Sequence, residues 1–328
     1  MARAILVTGA AGFAGSHLLD LLAGKSEPTA GSGSGSGFDS ASDSITGWHR
    51  PGRTPPSRGP AVAWTAVDLL NRPSVIDAIA RLRPAIVYHC AGAAHVGQAW
   101  ERTEATLSAN VRGTHHVLEG LRRAGTPARV LIPSSALVYR PANEPLTEDH
   151  PLVPTSPYGL AKLAQELLAS HAGSNRLEIT IARAFNHFGR RQDPAFSTSA
   201  FARQIASIEA GLQPPEISVG NLEARRDLTD VRDTVRAYRL IAERGRPGRA
   251  YNVCSGRAIA IRDVLDMLVA RSHVTIRVQV DPERFRPNDV PLLLGDPRRV
   301  REELGWSPEL PLEQTLEDIL EHWRGKIR

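Results

Sequence analysis

The chain has 328 residues, enough for one large or two modest domains around a sizeable core. Its 41% hydrophobic and 23% charged residues are those of an ordinary soluble globular protein, and no apolar run is long enough to span a bilayer. The formal charge of +5 is spread along the chain with no dense basic tract or aromatic-interleaved groove, which argues against nucleic acid and suits an enzyme for anionic substrates.

The chain opens on Ala4-Ile5-Leu6-Val7, a short apolar run suited to a buried parallel strand. These first residues lack a signal peptide's charged start and cleavage site. Thr8-Gly9-Ala10-Ala11-Gly12-Phe13-Ala14-Gly15 then leads into the apolar helix-like stretch from Leu18 to Leu22. Glycines at 9, 12 and 15 permit a tight turn and close backbone approach to a pyrophosphate, and the helix presents free N–H groups and its positive dipole end to that anion. Strand, glycines and helix in this order are the context a dinucleotide site requires.

From Gly24 to Asp43 the composition shifts to a Gly-Ser run that behaves as a flexible coil, leaving a second strand only from Ser44 to Trp48. Further strands are expected at Ala61 to Val67, ending at Asp68-Leu69, and at Ala85 to His89, with a helix from Pro73 to Leu82 between them. One long helix from Glu101 to Ala124, holding Asn110, precedes the strand Arg129 to Ile132; a helix around Tyr158 precedes the strand Ile179 to Ala182. Alternating strand and helix signals predict a Rossmann-type doubly wound parallel sheet. After Arg183 the pattern loosens into helix-like Phe201 to Ala210 and a Pro-rich carboxyl third, read as a smaller α/β cap. Residues 1–185 with 226–256 are expected to hold the dinucleotide, and 186–225 with 257–328 the substrate. Cys90 and Cys254, both in apolar surroundings, imply reduced thiols in a cytoplasmic protein. The eleven histidines show no ligand spacing for a metal.

The run Ser156-Pro157-Tyr158-Gly159-Leu160-Ala161-Lys162 carries the chemistry. Lysine occurs only at 25, 162 and 326, and positions i and i+4 of a helix share a face, so an ammonium sits beside a phenol. A free phenol has a pKa of about 10; a nearby cation is expected to favour the phenolate and bring the group into a useful range. Ser134 and Ser135 follow the Val130-Leu131-Ile132 strand, where a hydroxyl can position a substrate oxygen for that phenol.

Taken together these motifs resemble the extended short-chain dehydrogenase/reductase family over essentially the whole chain. Thr8, Gly9, Gly12, Phe13, Ala14, Gly15, Asp68 with Leu69, Ala91 and Ala93 in His89-Cys90-Ala91-Gly92-Ala93, Asn110, Ser135, Tyr158 and Lys162 match its cofactor and catalytic positions in order. The resemblance singles out Ser135 because it stands four residues before Tyr139, makes Tyr158 the proton donor or acceptor, and gives Lys162 a contact to the nicotinamide ribose. Arg50 or Arg53, just past the second strand, could bind a 2′-phosphate, which prefers NADPH with NADH possible. By the same resemblance, the long helix and the Tyr158 helix pair across a two-fold in a homodimer, though packing on the sheet explains their apolar faces equally.

The carboxyl half resembles the nucleotide-sugar branch, which implies substrate contacts at Asn186, Asn221, Arg226, Arg286 and Asp289. The arginines stand where diphosphate clamps are found, and a planar guanidinium suits phosphate oxygens. Gly-Asn-Leu-Glu-x-x-Arg-Asp from Gly220, with Arg-Pro-x-Asp from Arg286, is most similar to GDP-sugar enzymes. Two activities of that branch compete: 4,6-dehydration of GDP-mannose, and reduction of the C4 ketone of GDP-4-keto-6-deoxy-D-mannose to GDP-D-rhamnose. Dehydration needs a base at C5, which in the dehydratases resembles a glutamate two residues beyond the catalytic hydroxyl. Here that position is Leu137, which cannot move a proton, so reduction is favoured over dehydration or epimerisation with a recycled cofactor. A nucleotide-sensing protein on the same fold would have no need of the proton-transfer set. Two departures from the family pattern stand out: Arg140 replaces a glycine, and Arg190-Arg191 replace a Gly-Pro-Gly-type turn.

Overall fold

The computed structural model describes residues 3–24, 43–56, 61–285 and 290–327, and the Gly-Ser run lies outside the described residues. Strand and helix alternate through β1 (Ala4–Thr8), α1 (Phe13–Leu22), β2 (Ser44–His49), β3 (Val62–Ala66), α2 (Arg72–Leu82), β4 (Ile86–His89), α3 (Thr103–Leu107), α4 (Gly113–Ala124), β5 (Ala128–Ser135), α5 (Pro157–Ala172) and β6 (Leu177–Ala184). There follow β7 (Asn186–Phe188), α6 (Ser197–Glu209), β8 (Glu216–Val219), β9 (Arg225–Asp230), α7 (Val231–Arg244) and β10 (Ala250–Val253). The chain closes with β11 (Ala258–Ala260), α8 (Ile261–Val269), β12 (Arg277–Val280), β13 (Leu292–Leu293), α9 (Arg298–Leu304) and α10 (Leu312–Ile327).

Seven strands form one parallel sheet in the order β10-β6-β5-β4-β1-β2-β3. The order reverses between β1 and β4, so a crevice opens at their carboxyl ends, the usual ligand position in such sheets. Successive side chains of a strand face opposite ways. Ile5 and Val7 therefore pack with Leu18 and Leu19 of α1 and with Val235, Tyr238 and Ile241 of α7. Leu6 and Val87 pack on the other face with Val75, Ile79, Val117 and Leu121 of α2 and α4. Each aliphatic chain so buried contributes about 1.5–3 kcal/mol, which fixes the strand ends that carry the site. The expected doubly wound sheet is present. A smaller sheet of β11, β9 and β13, with β7 paired to β9, and the β12-β8 pair build the carboxyl-terminal part. Phe201, Ile205, Leu265, Leu268 and Leu316 of α6, α8 and α10 form its core.

Two expectations are corrected. The helix expected unbroken from Glu101 to Ala124 starts at Thr103 and is interrupted by a π-helical turn, Ser108–Arg112, with Asn110 at its centre. Such turns cluster at functional sites and barely disturb an apolar period. The strand expected to end at Ile132 runs on to Ser135 through Pro133. Arg129 N donates to Ala85 O, so alternate residues up to Pro133 turn toward β4, whose pairing stops at Leu131. The N–H that Pro133 lacks therefore has no neighbouring strand to serve.

Candidate active site

The β1–α1 turn is built so that only glycine fits its tightest points. Gly9 has φ +63, and a Cβ there would lie 2.6 Å from the Ala91 backbone; one on Gly15 would lie 2.3 Å from Gly9 O. Gly12 N donates to Gly9 O at 2.9 Å, closing the turn before Phe13 and Ala14 open α1. With Ala11 and Gly12 exposed, the first N–H groups of α1 face the crevice side of the sheet. This cradle fits a dinucleotide pyrophosphate.

Around it a chain of buried groups fixes the neighbouring backbone. Ala91 N donates to Thr8 Oγ1 at 3.2 Å, and Thr8 Oγ1 lies 2.8 Å from His89 Nδ1. His89 Nε2 lies 2.9 Å from Thr114 Oγ1, which itself donates to Asn110 O at 2.5 Å. Thr114 has only one proton and gives it to that carbonyl, so His89 donates from Nε2 and accepts from Thr8. Burial keeps this imidazole neutral, pushing its pKa down to about 3. Asn110 is fully buried; its Oδ1 accepts from Ala93 N at 2.9 Å and its Nδ2 donates to Ala93 O at 3.2 Å. Asn110 thus shapes the β4 loop beside the glycine turn. Arg50 is exposed just past β2. The Asp68 carboxylate accepts from Leu70 N at 3.0 Å, and Leu69 O accepts from His116 Nδ1 at 2.7 Å.

Ser135, Tyr158 and Lys162 come together at the end of β5. Ser156 caps α5 by accepting from Gly159 N at 3.1 Å, with Pro157 in the first turn, which sets where the Tyr158 helix begins. Ser135 Oγ accepts from Leu137 N at 3.2 Å, and Ser135 is also hydrogen-bonded with Tyr158. Lys162 Nζ donates to Pro133 O at 2.9 Å and lies 5.9 Å from the Tyr158 ring centroid. The expected lowering of the phenol is corrected here. Burial pushes Tyr158 up to about 12, and the opposing pull comes from Ser135 rather than from the lysine, whose proton goes to a backbone carbonyl. Burial also draws the Lys162 ammonium down to about 8.

The carboxyl-terminal residues are placed less closely. Asn186 is exposed at the start of β7; Asn221 Oδ1 accepts from Glu223 N at 3.0 Å. Arg226 Nη1 donates to Val290 O at 2.6 Å and Arg225 O at 2.9 Å, so this nitrogen shapes the chain beside 286–289. Arg286 and Asp289 lie outside the described residues. Arg191 takes φ +71, a conformation that glycine adopts freely, and donates to Asp20 of α1 at 2.8 Å. Sequence reasoning missed His187, which stacks on Phe13 of the glycine turn with ring centroids 5.8 Å apart, and the buried Glu166–Arg183 pair below Ser135. A charge inside otherwise apolar runs was the available signal for the latter. Among the described residues no group of three or more His, Cys, Asp or Glu is placed to hold a metal ion, and no helix is long and apolar enough to cross a membrane.

Glycine turn, switch point and Ser-Tyr-Lys constellation are those of an extended short-chain dehydrogenase/reductase, and the proteins this chain is similar to are nucleotide-sugar enzymes. The family described as GDP-mannose 4,6 dehydratase matches residues 6–319, and the chain belongs to that family. It is 32% identical to the GDP-6-deoxy-D-mannose reductase of Pseudomonas aeruginosa, over 100% of this chain and 99% of the relative. It is 27% identical to the GDP-mannose 4,6-dehydratase of Yersinia enterocolitica, over 77% of this chain and 76% of the relative. The solved structure of RMD from Pseudomonas aeruginosa complexed with NADPH superimposes with a TM-score of 0.81 at 30% identity, covering 99% of this chain and 100% of that one.

Proposed function

We propose that this protein reduces the C4 ketone of GDP-4-keto-6-deoxy-D-mannose, using NADPH with NADH as a possible substitute, to give GDP-D-rhamnose. The observation that carries this reading is the 3₁₀ turn Ala136–Val138. It sets the aliphatic Leu137 beside an intact Ser135, Tyr158 and Lys162, where a dehydratase needs a base. The full-length similarity to the Pseudomonas aeruginosa reductase supports the same choice.

A nicotinamide dinucleotide held in the glycine turn would supply the hydride that the carbonyl carbon takes up. Tyr158, held protonated by its burial, gives a proton to the carbonyl oxygen, and Ser135 orients that oxygen. The charged Lys162 offsets the negative charge that develops there. Thr8, Gly9, Gly12, Phe13, Ala14 and Gly15 receive the pyrophosphate. Asp68, Leu69, Ala91, Ala93 and Asn110 shape the rest of the cofactor groove, and Arg50 meets a 2′-phosphate. Asn186, Asn221, Arg226, Arg286 and Asp289 take the GDP-sugar. In this division residues 1–185 with 226–256 serve the cofactor and 186–225 with 257–328 the substrate. The cytoplasm, where Cys90 and Cys254 stay reduced, is the proposed compartment.

Mixing the protein with this ketone and NADPH is expected to consume absorbance at the nicotinamide band, with GDP-D-rhamnose identified by NMR. Turnover of GDP-mannose or a UDP-sugar without added reductant would instead favour a dehydratase or an epimerase.

A homodimer belongs to the proposal. Leu160 and Leu167, seven residues apart on one face of α5, are 52% and 55% exposed. The Leu160→Glu/Leu167→Glu variant is expected to run as a monomer in light scattering where the native chain runs as a dimer. A monomeric native chain removes the dimer.

A further inference from the structure

Tyr158, Lys162 and Glu166 follow one another at four-residue steps of α5 and so form a single stripe. Each meets one of three consecutive residues of β5. Tyr158 is hydrogen-bonded with Ser135, Lys162 Nζ donates to Pro133 O at 2.9 Å, and Ser134 Oγ donates to Glu166 Oε1 at 2.5 Å. Glu166 is buried, 5% exposed, and gripped by Arg183 of β6: Nε reaches its two oxygens at 3.1 and 3.2 Å, and Nη2 reaches Oε2 at 2.7 Å. Ser134 and Arg183 are direct partners in the β5–β6 register.

The far side of Arg183 ties down the other end of the Ser135 turn. Nη1 donates to Tyr139 Oη at 3.0 Å and to Glu148 O at 2.9 Å, and Tyr139 Oη donates to Asn252 Oδ1 at 2.7 Å. A buried ion pair seldom stabilises a fold more than hydrophobic residues of the same volume. What hydrophobic residues could not supply is a negative charge beside Lys162.

Among the described residues that charge has no substitute nearby. Lys162 faces Tyr158 on its own helix, His89 and Cys90 at the end of β4, and His187 of β7. Burial holds both imidazoles neutral, pushes the Cys90 thiol up to about 12 and keeps Tyr158 protonated. Among the described residues Glu166, one turn along α5 from Lys162, remains as the carboxylate whose charge favours the ammonium. We propose that Glu166, fixed by Arg183, is a positioning residue that holds the Ser134-Ser135 end of β5 against α5 and keeps Lys162 charged at neutral pH. The inference rests on the reading of Ser135, Tyr158 and Lys162 as the reductase's catalytic set.

The chain has only three lysines, so ¹⁵N labelling of lysine side chains gives few signals, and Lys162→Arg identifies the one required. In Glu166→Gln the Lys162 titration is expected about one pH unit below that of the native chain. The alkaline limb of kcat for ketone reduction should move down by the same amount. Because Glu166→Gln leaves Arg183 charged without its partner, the double variant Glu166→Gln/Arg183→Gln forms the second arm and is expected to lower the titration in the same direction but by less, since a cation is removed with the anion. A native-like Lys162 titration in either folded variant, or a loss of kcat at every pH with the limb unmoved, overturns the proposal. The titration needs no sugar substrate. A native chain that fails to reduce the ketone therefore counts against the proposed reaction alone, and the lysine signal still decides the role of Glu166.

Discussion

Tyr158→Phe is expected to lower kcat for ketone reduction by about 10²–10⁴-fold, the usual contribution of a positioned proton donor. The substitution removes one oxygen and leaves the ring in place. Tyr158 is half-buried at the start of α5, where Ser156 and Pro157 rather than the phenol set the helix terminus. The fold and the glycine turn should therefore be unaffected. With its pKa pushed up to about 12, the native phenol stays protonated across the neutral range, the state required to give a proton to a carbonyl oxygen. Acidification toward pH 5 should not deprive the site of its donor. Alkaline loss should instead follow Lys162, whose ammonium is discharged as pH rises through about 8. Single-turnover reduction, read at the nicotinamide band, measures the rate, and quenching of protein fluorescence measures cofactor binding. A phenylalanine variant with native kcat would remove Tyr158 from the reaction, and one that merely failed to bind cofactor would give the ring a structural role.

Local motifs explain what could be read from the sequence. The glycine turn, its strand and its helix are contiguous, and so are Tyr158 and Lys162; their spacing alone brings them together. The parts that escaped depend on distant partners or on backbone detail. Glu166 lies 17 residues from Arg183 and 32 from Ser134, and only the β5–β6 register makes them neighbours. The π-turn at Ser108–Arg112 leaves the apolar pattern of a long helix in place, so the break that centres Asn110 on Ala93 was invisible to periodicity. Pro133 suggested the end of a strand until the short pairing of β4 showed why it is tolerated. The raised phenol depends on burial and on where Lys162 sends its proton, neither of which is carried by a four-residue spacing.

The second large effect is expected from Gly15→Ala, which should weaken NADPH binding by about 100-fold or more, roughly 2.7 kcal/mol. A methyl group at position 15 would lie 2.3 Å from Gly9 O, 2.9 Å from Gly9 C and 3.0 Å from Ala10 Cα. All three are backbone atoms, so no side chain can swing aside. Gly9 cannot retreat, because its O is held by Gly12 N at 2.9 Å and its own α-carbon faces the Ala91 backbone. The strain is relieved only by lifting α1 off the turn. A shift of about 1 Å there moves the N–H groups that meet the pyrophosphate, and weakening one or two hydrogen bonds to a charged group, each worth about 1.5–3 kcal/mol, is enough for that loss. Leu18, Leu19 and Leu22 stay buried against the sheet, so the helix itself should persist. Calorimetric titration with NADPH and a thermal melt separate the two effects: near-native melting with lost affinity is the expected pair. Native affinity in Gly15→Ala would mean that the contact between helix and turn does not position the phosphate-binding groups.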